Sequence, residues 1–204
     1  MPSPETQNPS FNTGWTRSET PLRSWKAIRD HNVVLQRYDY SCGAGALATL
    51  MHYYFGDKVT EEEILLGILS SMTKEEVLDR EEKGLSLLDL KRYAEKRGYQ
   101  AVGVKLNYES LKQLKGPVLI HLEREDYKHF AVFKGVWGDR IYLADPSRGN
   151  IRLAVFRFAR EWSGVALVLG KKGFGLPQSY PLALKDHELN QIEMQSVRSA
   201  LYSK

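Results

Sequence analysis

Cys42 is the only thiol in the chain, and it opens a run of small residues, Gly43, Ala44, Gly45 and Ala46. Such a run permits a closely packed helix that begins at the cysteine, with Leu47, Leu50, Met51 and Tyr54 at helical spacing and Gly56 as its stop. At the first turn of a helix the positive end of the dipole favours thiolate, the nucleophilic form of cysteine. A lone cysteine among Gly and Ala is ordinarily a small buried apolar residue, but the neighbours of this one argue for chemistry. Gln36 lies six positions upstream, joined to Cys42 by the polar turn 37–41. That turn can set its amide beside the Cys42 N–H, giving two donors for an oxyanion.

A thiolate needs a base, and the candidates are His31, His52, His121, His129 and His187. His129 begins an apolar strand, so its side chain can project from the strand end over a helix terminus. His121 also lies on a strand and is its rival. Asp145 follows His129 by sixteen positions, and a hairpin turning at Gly138 and Asp139 would return it beside the start of the preceding strand. With Pro146, Asp145 also suits a turn, a role compatible with holding an imidazole. His121 has no acid a hairpin's length away.

Gln36, Ser41, Cys42, Gly43 and Ala46, then His129 with Phe130, Ala131 and Val132, then Ala144, Asp145, Pro146 and Gly149, then Phe158 to Trp162, follow a known order. Over residues 30 to 170 they resemble the bacteriocin-processing, double-glycine-leader cysteine peptidases of the papain-like superfamily. The resemblance implies an α+β fold in which a central helix of an N-terminal helical half packs on a C-terminal antiparallel sheet. It implies Cys42 as nucleophile, His129 as general base, Asp145 as its orienting partner and Gln36 in the oxyanion hole, with no cofactor or metal. Cleavage after a Gly-Gly or Gly-Ala pair is implied too, with a peptide or protein substrate drawn from secretion or functional-amyloid systems and a periplasmic setting. A cytoplasmic setting stays open. Ser41 departs from the Asp that commonly precedes the cysteine in domains fused to export transporters. The chain carries no phosphate loop of the GxxxxGK[ST] type, so it reads as a stand-alone relative. Two alternatives remain: a degenerate domain that binds leader peptides without cutting them, and transglutaminase- or amidase-like acyl transfer by the same residues.

The elements that must position these residues are legible in outline. Val33, Val34 and Leu35 read as a short extended segment leading to Gln36. Thr60 with Glu63 and Thr73 with Glu76 form capping boxes, and Ser86 with Asp89 caps a third helix carrying Leu87, Leu90, Tyr93 and Ala94 and ending at Gly98. From Gln100 the period changes to that of strands, with Val102, Val104 and Leu106 as the buried face of the first. A short helix over 107–115, strands over 118–122, 129–136, 141–144, 151–155 and 165–169, and a C-terminal helix over 188–201 complete the expectation. The carboxylates of Glu61, Glu62 and Glu63 read as helix-terminal or solvated charges rather than metal ligands.

Composition bounds the rest. The 204 residues, 42% of them apolar or aromatic, suffice for one substantial core. This leads to a flexible segment 1–25, a peptidase domain 26–170 and a C-terminal extension 171–204. The first twenty residues lack the basic start and apolar middle of a signal peptide. No apolar run reaches the roughly 18 residues that span a bilayer. The net charge of +4 is spread along the chain, which argues against nucleic acid as a partner.

Overall fold

The computed structural model describes residues 24–124 and 127–184. The flexible segment and the C-terminal helix expected from sequence lie almost wholly outside them. Helix α1 spans Trp25–Arg29, and α2 spans Cys42–Tyr53, beginning at the cysteine as its small residues predict. Helices α3 (Glu61–Leu69), α4 (Lys74–Lys83) and α5 (Leu87–Lys96) each open with a complete capping box, from Thr60 and Glu63, Thr73 and Glu76, and Ser86 and Asp89. Each box satisfies two orphan backbone donors, which is why these starts are readable from four residues.

The second half is a sheet. Strand β1 (Tyr99–Lys105) is followed by the short α6 (Tyr108–Lys112), capped by Asn107. Then come β2 (Val118–Arg124), β3 (Tyr127–Trp137), β4 (Arg140–Asp145), β5 (Gly149–Ala154), helix α7 (Val155–Glu161) and β6 (Trp162–Lys171). The order across the sheet is β1-β6-β2-β3-β4-β5, and every neighbouring pair is antiparallel. Alternation divides the apolar side chains between two faces. Leu119, Phe130, Val132, Ala144 and Leu167 pack with α2, α3 and α5 in one core. Ile120, Leu122, Ala131, Phe133, Ile141 and Leu143 pack with Phe158 of α7 in the other. The α+β class, with a central helix against an antiparallel sheet, is the one expected.

The structure goes against or beyond the sequence reading at four places. Residues 33–35 join no strand, because the Val34 N–H donates to Thr49 Oγ1 of α2 at 2.9 Å instead of to a ladder. On β1 the face covered by α5 carries Tyr99 and Ala101, while Val102 is 56% exposed at the sheet edge. Helix α7 occupies a stretch for which the sequence suggested no element, and no side chain caps it at Ala154. Glu61 is helix-terminal, opening α3, but buried rather than solvated, at 3% exposed. Past β6 the chain turns back, with Phe174 and Tyr180 against the first core, Leu182 buried within it, and the Pro181 carbonyl accepting from Asn32. Among the described residues no helix is long and apolar enough to cross a membrane.

Candidate active site

Helix α2 is fully buried from Cys42 through Met51, which fixes the thiol at the junction of the helical half and the sheet. Close packing explains the small residues. A methyl group on Gly43 would meet Leu90 at 3.1 Å and Phe130 at 3.2 Å, and one on Gly45 would meet Pro146 Cβ at 2.9 Å and the Val34 carbonyl at 3.2 Å. The second contact is the more telling, since it presses the turn after β4 and the chain leading to Gln36 against the same helical turn. The Gln36 N–H completes that junction by donating to the Pro146 carbonyl at 2.8 Å.

Cys42, His129 and Asp145 are brought together. His129 is 3% exposed and Asp145 is wholly buried, with His129 Nε2 2.9 Å from Asp145 Oδ1. Cys42 lies close enough to His129 to act on the imidazole's pKa. Burial works against the imidazolium, but the hydrogen bond to Asp145, the nearby Cys42 and the charges on both outweigh it, and His129 is lifted from 6.5 to about 9.

Asp145 is the most heavily bonded carboxylate of the site. Its Oδ1 also accepts from the Ser147 N–H at 2.9 Å, the Ser147 hydroxyl at 2.7 Å and the Arg148 N–H at 3.2 Å. Its Oδ2 accepts from Arg148 Nε at 2.9 Å and Nη2 at 2.6 Å. Burial alone would raise its pKa, yet these donors and the charges of His129 and Arg148 hold it well below the usual carboxylate range. Asp145 thus both initiates a turn and faces the imidazole, and Arg148 closes the other side. Gly149 ends the turn at φ 78° and lies so near the Arg29 carbonyl that a Cβ would stand 2.5 Å from it.

Gln36 sits in the loop before α2. Its Nε2 donates to the Tyr38 carbonyl at 2.9 Å and reaches the Asp39 carbonyl only at 3.5 Å. Its Oε1 is buried without a hydrogen-bond partner. The carboxamide is therefore held from within its own loop and not by the other three residues. His121 lies apart from them in role: its Nδ1 faces Ser163 Oγ at 3.3 Å and its ring tilts against Phe130. Burial, first of all, lowers its pKa, opposite to His129.

Residues 30–173 match the model of the peptidase C39 family. The chain belongs to that family. It is 35% identical over 153 residues to the probable functional amyloid protease FapD of Pseudomonas aeruginosa, a match covering 75% of this chain and 66% of that protein's own length. Among solved structures it is similar to a double glycine motif protease from an AMS/PCAT transporter in complex with the leader peptide, with a TM-score of 0.56 and 26% identity, covering 69% of this chain and 94% of that one. The peptidase domain of Streptococcus ComA shares the fold at a TM-score of 0.58 and 23% identity, covering 68% and 97%. The C39 chain thus shares the papain-like fold expected from its sequence.

Proposed function

We propose that this C39 peptidase cuts a peptide bond after a Gly-Gly-like pair in a leader or secretion-system protein, with Cys42 as nucleophile, His129 as general base and acid, Asp145 as orienting partner and Gln36 in the oxyanion hole. The observation that carries this reading is the buried pair in which His129 Nε2 stands 2.9 Å from Asp145 Oδ1, with Cys42 near enough to raise the imidazole's pKa. The proton of the thiol passes to His129, and the thiolate adds to the scissile carbonyl carbon. The tetrahedral oxyanion is met by the Cys42 N–H and a Gln36 N–H. Exchanging the oxygen and nitrogen of Gln36 would set oxygen against the Tyr38 carbonyl, so the carboxamide orientation is defined. With Asp39 at 3.5 Å its second N–H is not tightly bound and is available to substrate. His129 then protonates the leaving amine as the C–N bond breaks, leaving a thioester on Cys42. Water, deprotonated by His129, releases the acid and restores the thiol.

The substrate class is supported by relatives: one similar structure is a double glycine motif protease, and one relative is a probable functional amyloid protease. The test is cleavage of leader peptides ending in two glycines, compared with peptides in which either glycine is replaced by leucine. Cys42→Ala and His129→Ala are expected to abolish cleavage, and each leucine substitution to suppress it. Cleavage retained by either variant removes the assigned roles, and equal cleavage of the leucine peptides removes the substrate class.

A further inference from the structure

We propose that Glu61 is a positioning residue for the cleavage reaction, holding the loop that presents the Gln36 carboxamide to the oxyanion. The inference rests on the reading of Gln36 given above. Glu61 is the first residue of α3, yet its carboxylate points inward and is buried. Its Oε1 accepts the Ser41 hydroxyl in a short hydrogen bond and the Arg37 N–H at 3.0 Å. A carboxylate removed from water must be bonded by donors, and both donors here belong to the loop between Gln36 and Cys42. Arg37 reinforces the attachment through its Nη1, 3.3 Å from Glu62 Oε2.

The consequence for the site follows from the single proton of Ser41. Ser41 Oγ lies 2.8 Å from the Tyr38 carbonyl, the same oxygen that receives Gln36 Nε2. While the Ser41 hydroxyl donates to Glu61, that carbonyl keeps two donors, the Ser41 N–H at 3.2 Å and Gln36 Nε2, and Ser41 Oγ accepts the Tyr38 N–H at 3.2 Å. Ser41 also stands at the N-cap of α2, where a serine ordinarily bonds the free N–H groups of the first turn. Here it makes no such bond, and its backbone, at φ −96° and ψ 9°, is not in the extended conformation of a cap. Recruited by Glu61, Ser41 leaves the first turn of α2 open toward the thiol and the oxyanion. Without Glu61 its hydroxyl turns to the Tyr38 carbonyl and competes with Gln36.

The experiment measures kcat and KM on the double-glycine peptide for Glu61→Ala, Glu61→Gln and Ser41→Ala, each alone and combined with Gln36→Ala, alongside the rate of Cys42 alkylation by iodoacetamide. An oxyanion donor is worth about 100-fold to 1,000-fold in kcat, and Glu61→Ala is expected to lose about 10-fold or more of it with KM changed less than about threefold. Glu61→Gln keeps an acceptor oxygen and is expected to recover most of the loss. In the Gln36→Ala background the Glu61 substitution is expected to add less than about threefold, since both act on one donor. Alkylation, which forms no oxyanion, is expected to change by less than about twofold. Equal losses with and without Gln36, or alkylation falling with kcat, overturn the proposal in favour of a general structural role. Full activity of Gln36→Ala overturns the reading beneath it. Loss in Gln36→Ala without loss in Glu61→Ala or Ser41→Ala overturns the positioning role alone, and Ser41→Ala serves if Glu61→Ala does not fold.

Discussion

Asp145→Asn conserves the shape of the side chain and removes its charge, and the surroundings give the new amide no good orientation. Four donors converge on Oδ1, from His129, the Ser147 N–H and hydroxyl and the Arg148 N–H, and two guanidinium nitrogens converge on Oδ2. An asparagine must aim its NH2 group at one of these sets. Neither the guanidinium nor the two backbone N–H groups can become acceptors, so donors oppose donors either way. Breaking a buried charged pair from one side costs about 3–5 kcal/mol. The imidazole supplies an internal measure of how much is electrostatic. Its lift from 6.5 to about 9 corresponds to roughly 3 kcal/mol favouring the charged ring. With the carboxylate gone, burial acts against the imidazolium with less to oppose it, and the His129 midpoint is expected below 6.5.

The sign of the pH dependence follows from the unfolded chain, where imidazole titrates near 6.5. The charged His129 contributes its full share of stability below that pH, loses it as pH rises from there, and contributes nothing above about 9. Asp145, whose pKa is depressed, acts in the opposite direction, stabilising above the ordinary carboxylate range and losing this as pH falls through its folded value. Between wild type and Asp145→Asn the difference in unfolding free energy is therefore expected to be about 3–5 kcal/mol at pH 6, narrowing by roughly 3 kcal/mol toward pH 10. Urea denaturation across pH, with NMR titration of the His129 ring, measures both quantities. A ring that still titrates near 9 in the variant, or a stability difference that does not change with pH, refutes the reasoning.

Gly45→Ala forces a methyl group to within 2.9 Å of Pro146 and 3.2 Å of the Val34 carbonyl, so about 1–3 kcal/mol of stability is expected to be lost together with kcat, read by urea denaturation and peptide cleavage. Phe133→Ala empties a site 2% exposed in the core on the other face of the sheet, and a loss of about 3–5 kcal/mol is expected while the variant, measured well below its melting temperature, keeps kcat within a few fold.

What could be read from sequence was local. The boxes at Thr60, Thr73 and Ser86 are set by residues three apart, and the start of α2 by the small residues that follow Cys42. The meeting of His129 with Asp145 was legible because one hairpin links them, turning at Gly138 with φ 57°. Helix α7 was not, because Val155, Phe156 and Phe158 favour strands and Ala154 supplies no cap; burial of Phe158 in the second core holds it instead. Val102 misled because alternation reports which residues share a face, not whether a second layer covers that face. Glu61 and Arg148 escaped for a related reason. A run of three glutamates is ordinarily solvated, and only the packing of the 37–41 loop on α3 buries its first member.

Asp145 and Glu61 show how the site divides its tasks between two buried carboxylates. Asp145 faces a ring that gains and loses a proton, so its charge, held in place by Arg148, acts on protonation and moves the titration of His129. Glu61 faces a hydroxyl and a backbone N–H that keep their protons over the working range, so its charge acts on geometry. Loss of the first shifts where activity falls with pH, and loss of the second lowers activity at every pH without moving the flanks of the profile. The same physical requirement, donors for a carboxylate taken out of water, thus serves a proton on one side of the thiol and a loop on the other.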